Sequence, residues 1–276
     1  MRTLQLADQF RYARMSTAEL RSSFLVEDLF TLAAIDLVYV DLDRTVIGSA
    51  VPLTEALQLP CPAELRASAF TERRELGIFN IGAPGAVHVD GEIFELDNRD
   101  ALYIGRGNHD ISFKSNSPES PAEFYLLSYP AHAVHPTALI QLAQTSPLTI
   151  GDPTTANHRS IRKLIHLEGA ASCQLVMGYT TLHAGSVWNT MPPHTHMRRS
   201  EIYLYFDLPP DQRVVHLMGP AHETRHLFVA NKHVAISPLW SIHAGAGTSS
   251  YSFCWGMGGE NQDYSDMDAL RISDLL

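Results

Sequence analysis

Residues 185–208, GSVWNTMPPHTHMRRSEIYLYFDL, decide how the rest of the chain is read. His194 and His196 stand two apart, so in an extended segment both side chains point to the same face. Pro192 and Pro193 oppose a helix at this point, which makes a strand the natural conformation of the histidine pair. Glu201 then opens IYLYFDL, a run of the aromatic and β-branched residues that strands favour. The expected arrangement is an antiparallel pair with MRRS (197–200) as its turn, carrying Glu201 back beside the histidines. Imidazoles and a carboxylate converging from strands suit zinc, iron, manganese or nickel. A fourth ligand is expected from His243 in SPLWSIHAGAG. One histidine among 14 carries little weight; the pair, the carboxylate and the later histidine together predict a metal site.

Outward from that stretch, the pattern stays that of strands. LVYVDLDRTVIGSAVPL, from Leu37, alternates apolar and polar residues, and Asp90-Gly91 between two alternating runs signals a hairpin. Ser16 and Glu19 have the spacing of a capping box and predict a short helix over 16–25. Residues 130–160 are rich in proline and small polar residues, with a helix expected near 137–144. The expected division is therefore 1–135, a linker over 136–160, and 161–276. Short strands between Gly, Pro and Asp turns fit barrels or sandwiches rather than βαβ units. The halves echo one another: DNRDALYIGRGNHDISF (97–113) parallels NKHVAISPLWSIHAGAG (231–247), with His109 in the place of His243. No histidine pair precedes it, so the first half is expected to lack the metal site. The acidic tail NQDYSDMDALRISDLL is expected to pack across the second half.

The bulk numbers exclude some classes of function. A formal charge of −10 argues against a nucleic-acid surface. Cys61, Cys173 and Cys254 are odd in number and widely spaced, giving neither a disulfide framework nor a thiolate zinc site. The N-terminal segment lacks the apolar core of a signal peptide, and no apolar run approaches the roughly 20 residues of a membrane span. A soluble cytoplasmic protein is expected, acting on neither membrane nor nucleic acid.

H-T-H-x4-E followed by a distant strand-end histidine resembles the two-part motif of the cupin barrels. The surrounding text is closer still. TERRELG (71–77), NRDALY (98–103), WNTMPPHTHMRR (188–199), ETRH (223–226), ISPLWSIH (236–243) and GENQ (259–262) together resemble the bacterial 5-keto-4-deoxyuronate isomerases, or 4-deoxy-L-threo-5-hexosulose-uronate ketol-isomerases. The resemblance covers essentially the whole chain. It implies an all-β fold of two tandem cupin-type barrels with a few short helices. It also implies one zinc per subunit on His194, His196, Glu201 and His243, and a homo-oligomer, usually hexameric. The implied activity converts the deoxyuronate to 3-deoxy-D-glycero-2,5-hexodiulosonate in pectin and uronate breakdown. A related isomerase acting on 5-deoxyglucuronate and an iron-dependent cupin dioxygenase are the alternatives. The substrate is a small sugar acid, so a cation should grip its carboxylate. Arg199 with Arg198 beside the ligands, and Arg225 with His226 on ETRH, are the candidates. Trp188 and Thr190 are expected at the mouth of the site, with Gln262 and Tyr264 of the tail as a closing element.

Overall fold

Alternating runs become strands throughout the computed structural model, which describes residues 1–260, 262–263 and 265–276. Tyr264 therefore lies outside the described residues. Two units are present. The first comprises Met1–Leu4, Asp28–Thr145 and Leu164–Val176; the second comprises Gln5–Glu27, Ser146–Lys163 and Met177–Leu276.

In the first unit a seven-stranded sheet runs in the order Arg2–Leu4, Ile35–Val40, Val46–Ala50, Phe124–Pro130, Arg74–Asn80, Ala101–Ile104, Ala138–Ile140. A four-stranded sheet runs Leu57–Gln58, Ile111–Ser115, Gly85–Val89, Glu92–Leu96. The expected hairpin joins the last two, with both Asp90 and Gly91 at positive φ (47° and 88°), as a two-residue primed turn requires. Leu76, Ile78, Val87, Phe113 and Phe124 fill the interior. Each such side chain contributes roughly 1.5–3 kcal/mol by leaving water.

The second unit repeats the plan. Its larger sheet runs Leu148–Ile150, Arg159–Ile165, Val176–Leu182, Ser252–Gly259, Arg199–Phe206, Val234–Ser237, Leu25–Val26. Its smaller sheet runs Trp188–Asn189, Ile242–Gly247, Val214–Gly219, Arg225–Val229. The protein is thus all-β with a few short helices, two tandem barrels of the cupin type, as expected. The helix Thr17–Phe24 carries the full capping box between Ser16 and Glu19. No described helix is long and apolar enough to cross a membrane.

Three expectations need correction. The division of the chain is not linear: 5–27 belongs with the second unit and 164–176 with the first. Tyr12 and Phe24 pack on Trp240, with ring centroids 5.1 and 6.1 Å away, and this holds the N-terminal segment to the second unit. No α-helix forms near 137–144. Ala138–Ile140 instead pairs with the edge strand Ala101–Ile104, followed by one 3-10 turn at Leu142–Gln144. An eight-residue helix is marginal alone, whereas an open sheet edge satisfies the backbone at once. Nor do the histidine pair and Glu201 form a hairpin. Both edges of Arg199–Phe206 are taken, by Val234–Ser237 and Ser252–Gly259. His194–Thr195 therefore pairs with the tail strand Asp268–Ala269.

Candidate metal centre

Four side chains from three segments of the chain meet inside the second unit. Glu201 is the third residue of the central strand Arg199–Phe206, and His243 is the second residue of Ile242–Gly247 in the facing sheet. His194 lies on the short strand beside the tail, and His196 follows it. One ligand atom from each of His194, His196, Glu201 and His243 lies within 4.8 Å of all the others. His196 Nε2 stands 2.8 Å from one Glu201 oxygen, and His243 Nε2 3.3 Å from the other. The Nε2 atoms of His194 and His243 are 3.0 Å apart. His196, Glu201 and His243 are buried, while His194 is half-exposed.

Hydrogen bonding around the cluster fixes which atoms face inward. His196 Nδ1 lies 2.7 Å from the Asp266 carbonyl, which can only accept, so Nδ1 carries the proton and Nε2 presents a lone pair. The nearby Glu201 carboxylate also presents lone pairs. With the His196 ring neutral, their 2.8 Å contact is one acceptor facing another, and both His196 Nε2 and Glu201 Oε2 are buried without a hydrogen-bond partner. Such an arrangement is unfavourable unless a cation sits among the lone pairs. Three imidazoles and one carboxylate, with no thiolate, fit a first-row divalent ion. The cluster's charge agrees. Burial and the neighbouring His243 push His194 down to about 3, and burial pushes His243 down to about 4. Burial alone would raise Glu201, but the imidazoles of His243 and His196 hold it well below the usual carboxylate range. Neutral His194 and His243 beside an ionised carboxylate are ready to bind a cation.

A cavity of about 300 Å³ opens onto His194, His196 and Glu201. Of the residues expected to bind substrate, Thr190 and Arg199 line it; Trp188, Arg225 and His226 do not. Arg199 is 1% exposed, and its guanidinium donates to the carbonyls of Asp263 and Asp266, so it anchors the tail. Arg225 donates to the Met15 carbonyl at 2.7 Å and sits over the Tyr12 ring. His226 packs edge-on against Phe228, and Trp188 pairs with Ala246. Arg198 is exposed, and Gln262 is not among the lining residues; Met267 represents the tail there.

Arg159 and Tyr203 are among the lining residues that escaped the sequence reading. Arg159 lies in a segment read as a linker, yet it opens the strand Arg159–Ile165 and reaches the cavity wall. Tyr203, in an aromatic run that reads as ordinary core, shares the face of Glu201 by simple alternation. That period of two was the available signal. Its hydroxyl lies 3.4 Å from Thr190 Oγ1. Burial, then the nearby Glu201 charge, raises Tyr203 well above the usual phenol range, so it stays protonated.

Comparison with known proteins agrees with this fold. The 4-deoxy-L-threo-5-hexosulose-uronate ketol-isomerase of Kineococcus radiotolerans is 50% identical over 264 residues, covering 95% of this chain and 95% of its own. The protein of the same name from Caldicellulosiruptor bescii is 48% identical over 265 residues, covering 96% of each. Among solved structures, an IolB-like protein of Salmonella typhimurium superimposes with a TM-score of 0.73 at 14% identity, over 90% of this chain and 96% of that one. The Bacillus subtilis oxalate decarboxylase, described by its Mn(II) centres, shares the fold at a TM-score of 0.56 and 10% identity, over 82% of this chain and 71% of its own. The KduI/IolB family model matches residues 33–271, and the chain belongs to that family.

Proposed function

We infer that this protein is a ketol-isomerase converting 4-deoxy-L-threo-5-hexosulose uronate to 3-deoxy-D-glycero-2,5-hexodiulosonate, a step in the breakdown of pectin and related uronates. The observation that carries this reading is the convergence of His194, His196, Glu201 and His243 on one point at a cavity. Relatives bearing the isomerase name at about half identity over nearly the whole chain support it. Zinc, one per subunit, is the ion assigned to the four ligands, and a cytoplasmic hexamer is the expected form.

The reaction moves a carbonyl from C1 to C2 by shifting a proton, and its barrier lies in the negative charge that builds on the oxygens of an enediol. A divalent ion held by the four ligands supplies Lewis-acid stabilisation of that charge. The chain's own groups do the rest. Tyr203, a protonated phenol in the cavity wall, is placed to hold a proton against a substrate oxygen, and Thr190 orients it. Arg159 takes over the role expected of Arg225, that of gripping the substrate carboxylate, because it lines the cavity and Arg225 does not. Pro192, Met191 and Phe253 close the wall with apolar surface that excludes water.

The test couples elemental analysis with an isomerase assay. His243→Ala should lose most bound metal and almost all turnover while the fold is kept. Chelation should abolish activity and added zinc restore it. Full activity after chelation would sink the metal-dependent reading, and faster turnover of 5-deoxyglucuronate would move the assignment to that substrate.

A further inference from the structure

The first unit has a cavity of its own, of about 430 Å³, larger than the one at the metal centre. Four arginines line it, Arg44, Arg73, Arg74 and Arg106, against one carboxylate, Glu64. In a chain of formal charge −10 this is a local reversal of sign. It is not a second metal site. Arg74 opens the strand Arg74–Asn80 as Arg199 opens Arg199–Phe206, and two residues on, where the second unit has Glu201, the first has the buried core residue Leu76.

The arginines are held mainly by neutral oxygens. Arg74, 7% exposed, donates from Nε to Ser128 Oγ at 3.0 Å and from Nη2 to the carbonyls of Arg44 and Ser128 at 2.7 and 2.8 Å. Arg106 donates to the Ala131 carbonyl at 2.9 Å. Among the described residues, Arg73 alone of the four forms an ion pair, with Glu72 at 3.1 Å, and its side chain is largely exposed. Burial, opposed by Tyr39, Tyr129 and the neighbouring Glu75, pushes Arg74 down to about 10; Arg44 acts in the same direction as burial, since the two guanidiniums repel. An anion among them offsets that repulsion, and the planar forks match carboxylate and phosphate oxygens. Tyr39, Leu65 and Phe70 complete the wall with apolar surface, and the volume is in the range of small-molecule sites.

We propose that Arg44, Arg74 and Arg106 form a second binding site, in the first unit and separate from the metal centre, for a small oxyanion (carboxylate or phosphate) carried on a compact organic body. Full-length protein would be titrated calorimetrically with inorganic phosphate and with D-galacturonate, using sodium chloride at matched ionic strength as control. Saturable binding of phosphate or of galacturonate beyond the chloride control is expected, and which of the two binds identifies the source. Arg44→Gln and Arg106→Gln should each weaken it about tenfold. Arg44 is exposed, and among the described residues its side chain makes no hydrogen bond or ion pair, so its variant keeps the fold. A His194→Ala/His243→Ala variant should bind the anion as the parent does. Absence of saturable binding, parental affinity in both arginine variants, or loss of binding in the histidine variant would each overturn the proposal.

Discussion

Capacity to ligate a metal is a property of single side chains, which is why His194, His196, Glu201 and His243 could be picked out as candidates before any fold was known. The destination of a cation is not: Arg225 reads as a carboxylate clamp until Met15 and Tyr12, more than 200 residues earlier, claim it. Arg159 was hidden for the opposite reason, since nothing local distinguishes it from a surface charge. At this scale Tyr203→Phe is expected to lower kcat about 100-fold with metal content and KM little changed, because only the proton at Oη is removed. A kcat equal to the parent's would remove Tyr203 from the chemistry. A second prediction concerns His216, fully buried with Nδ1 2.8 Å from Tyr205 Oη. Burial pushes it from 6.5 down to about 4. Between those values the unfolded chain binds a proton that the folded chain refuses. Its contribution to stability is therefore complete above pH 6.5 and lost as pH falls toward about 4, about 3 kcal/mol at most. Urea titrations of chelated protein across that window should show a shallower loss in His216→Gln than in the parent; equal slopes would rule the residue out.

Among the elements, hydrophobic alternation located most strands, and the turn chemistry of Asp90-Gly91 and the cap at Ser16 were read correctly. Pairing was harder to read, because it depends on which edges remain open. His194–Thr195 would have paired with Arg199–Phe206 had that strand kept a free edge; it pairs with the tail instead. The tail is thereby part of the candidate metal centre: Asp266 fixes the His196 ring, and Arg199 grips Asp263 and Asp266. Outer partners of this kind orient ligands and typically govern 10- to 100-fold in metal affinity. Deletion of residues 261–276 should cost about that factor in divalent-metal affinity while the barrels persist, and Arg199→Leu should cost part of it. Metal titration monitored by competition with a chromophoric chelator would measure the change. Unaltered affinity in the deletion would show that His196 needs no support from the tail.

For the molecule as a whole, the repeat of strand order was visible as a weak echo, but the route of the chain was not. Hydrophobic patterning says which segments are strands and nothing about which barrel receives them. The segment 164–176 illustrates the consequence. Glu75, completely buried in the first unit, accepts from the backbone amides of Cys173, Gln174 and Leu175 at 2.6, 2.8 and 2.8 Å and from Tyr103 Oη at 2.8 Å. Four donors converge on one carboxylate, three of them from chain lying well beyond the boundary at residue 135 expected from sequence. A fragment of residues 1–135 would leave the Glu75 carboxyl group without three of its four donors, a cost of several kcal/mol against the 5–15 kcal/mol that a whole domain has. Such a fragment should fail to unfold cooperatively, whereas one extended to residue 176 recovers the missing donors. In the full chain, Glu75→Gln replaces one acceptor oxygen by an NH2 group facing N–H donors, and about 2–4 kcal/mol of destabilisation is expected. Denaturant midpoints for the parent and the variant would measure it. A cooperative, parent-like transition from the 1–135 fragment would show that the later segment adds nothing essential to the first barrel.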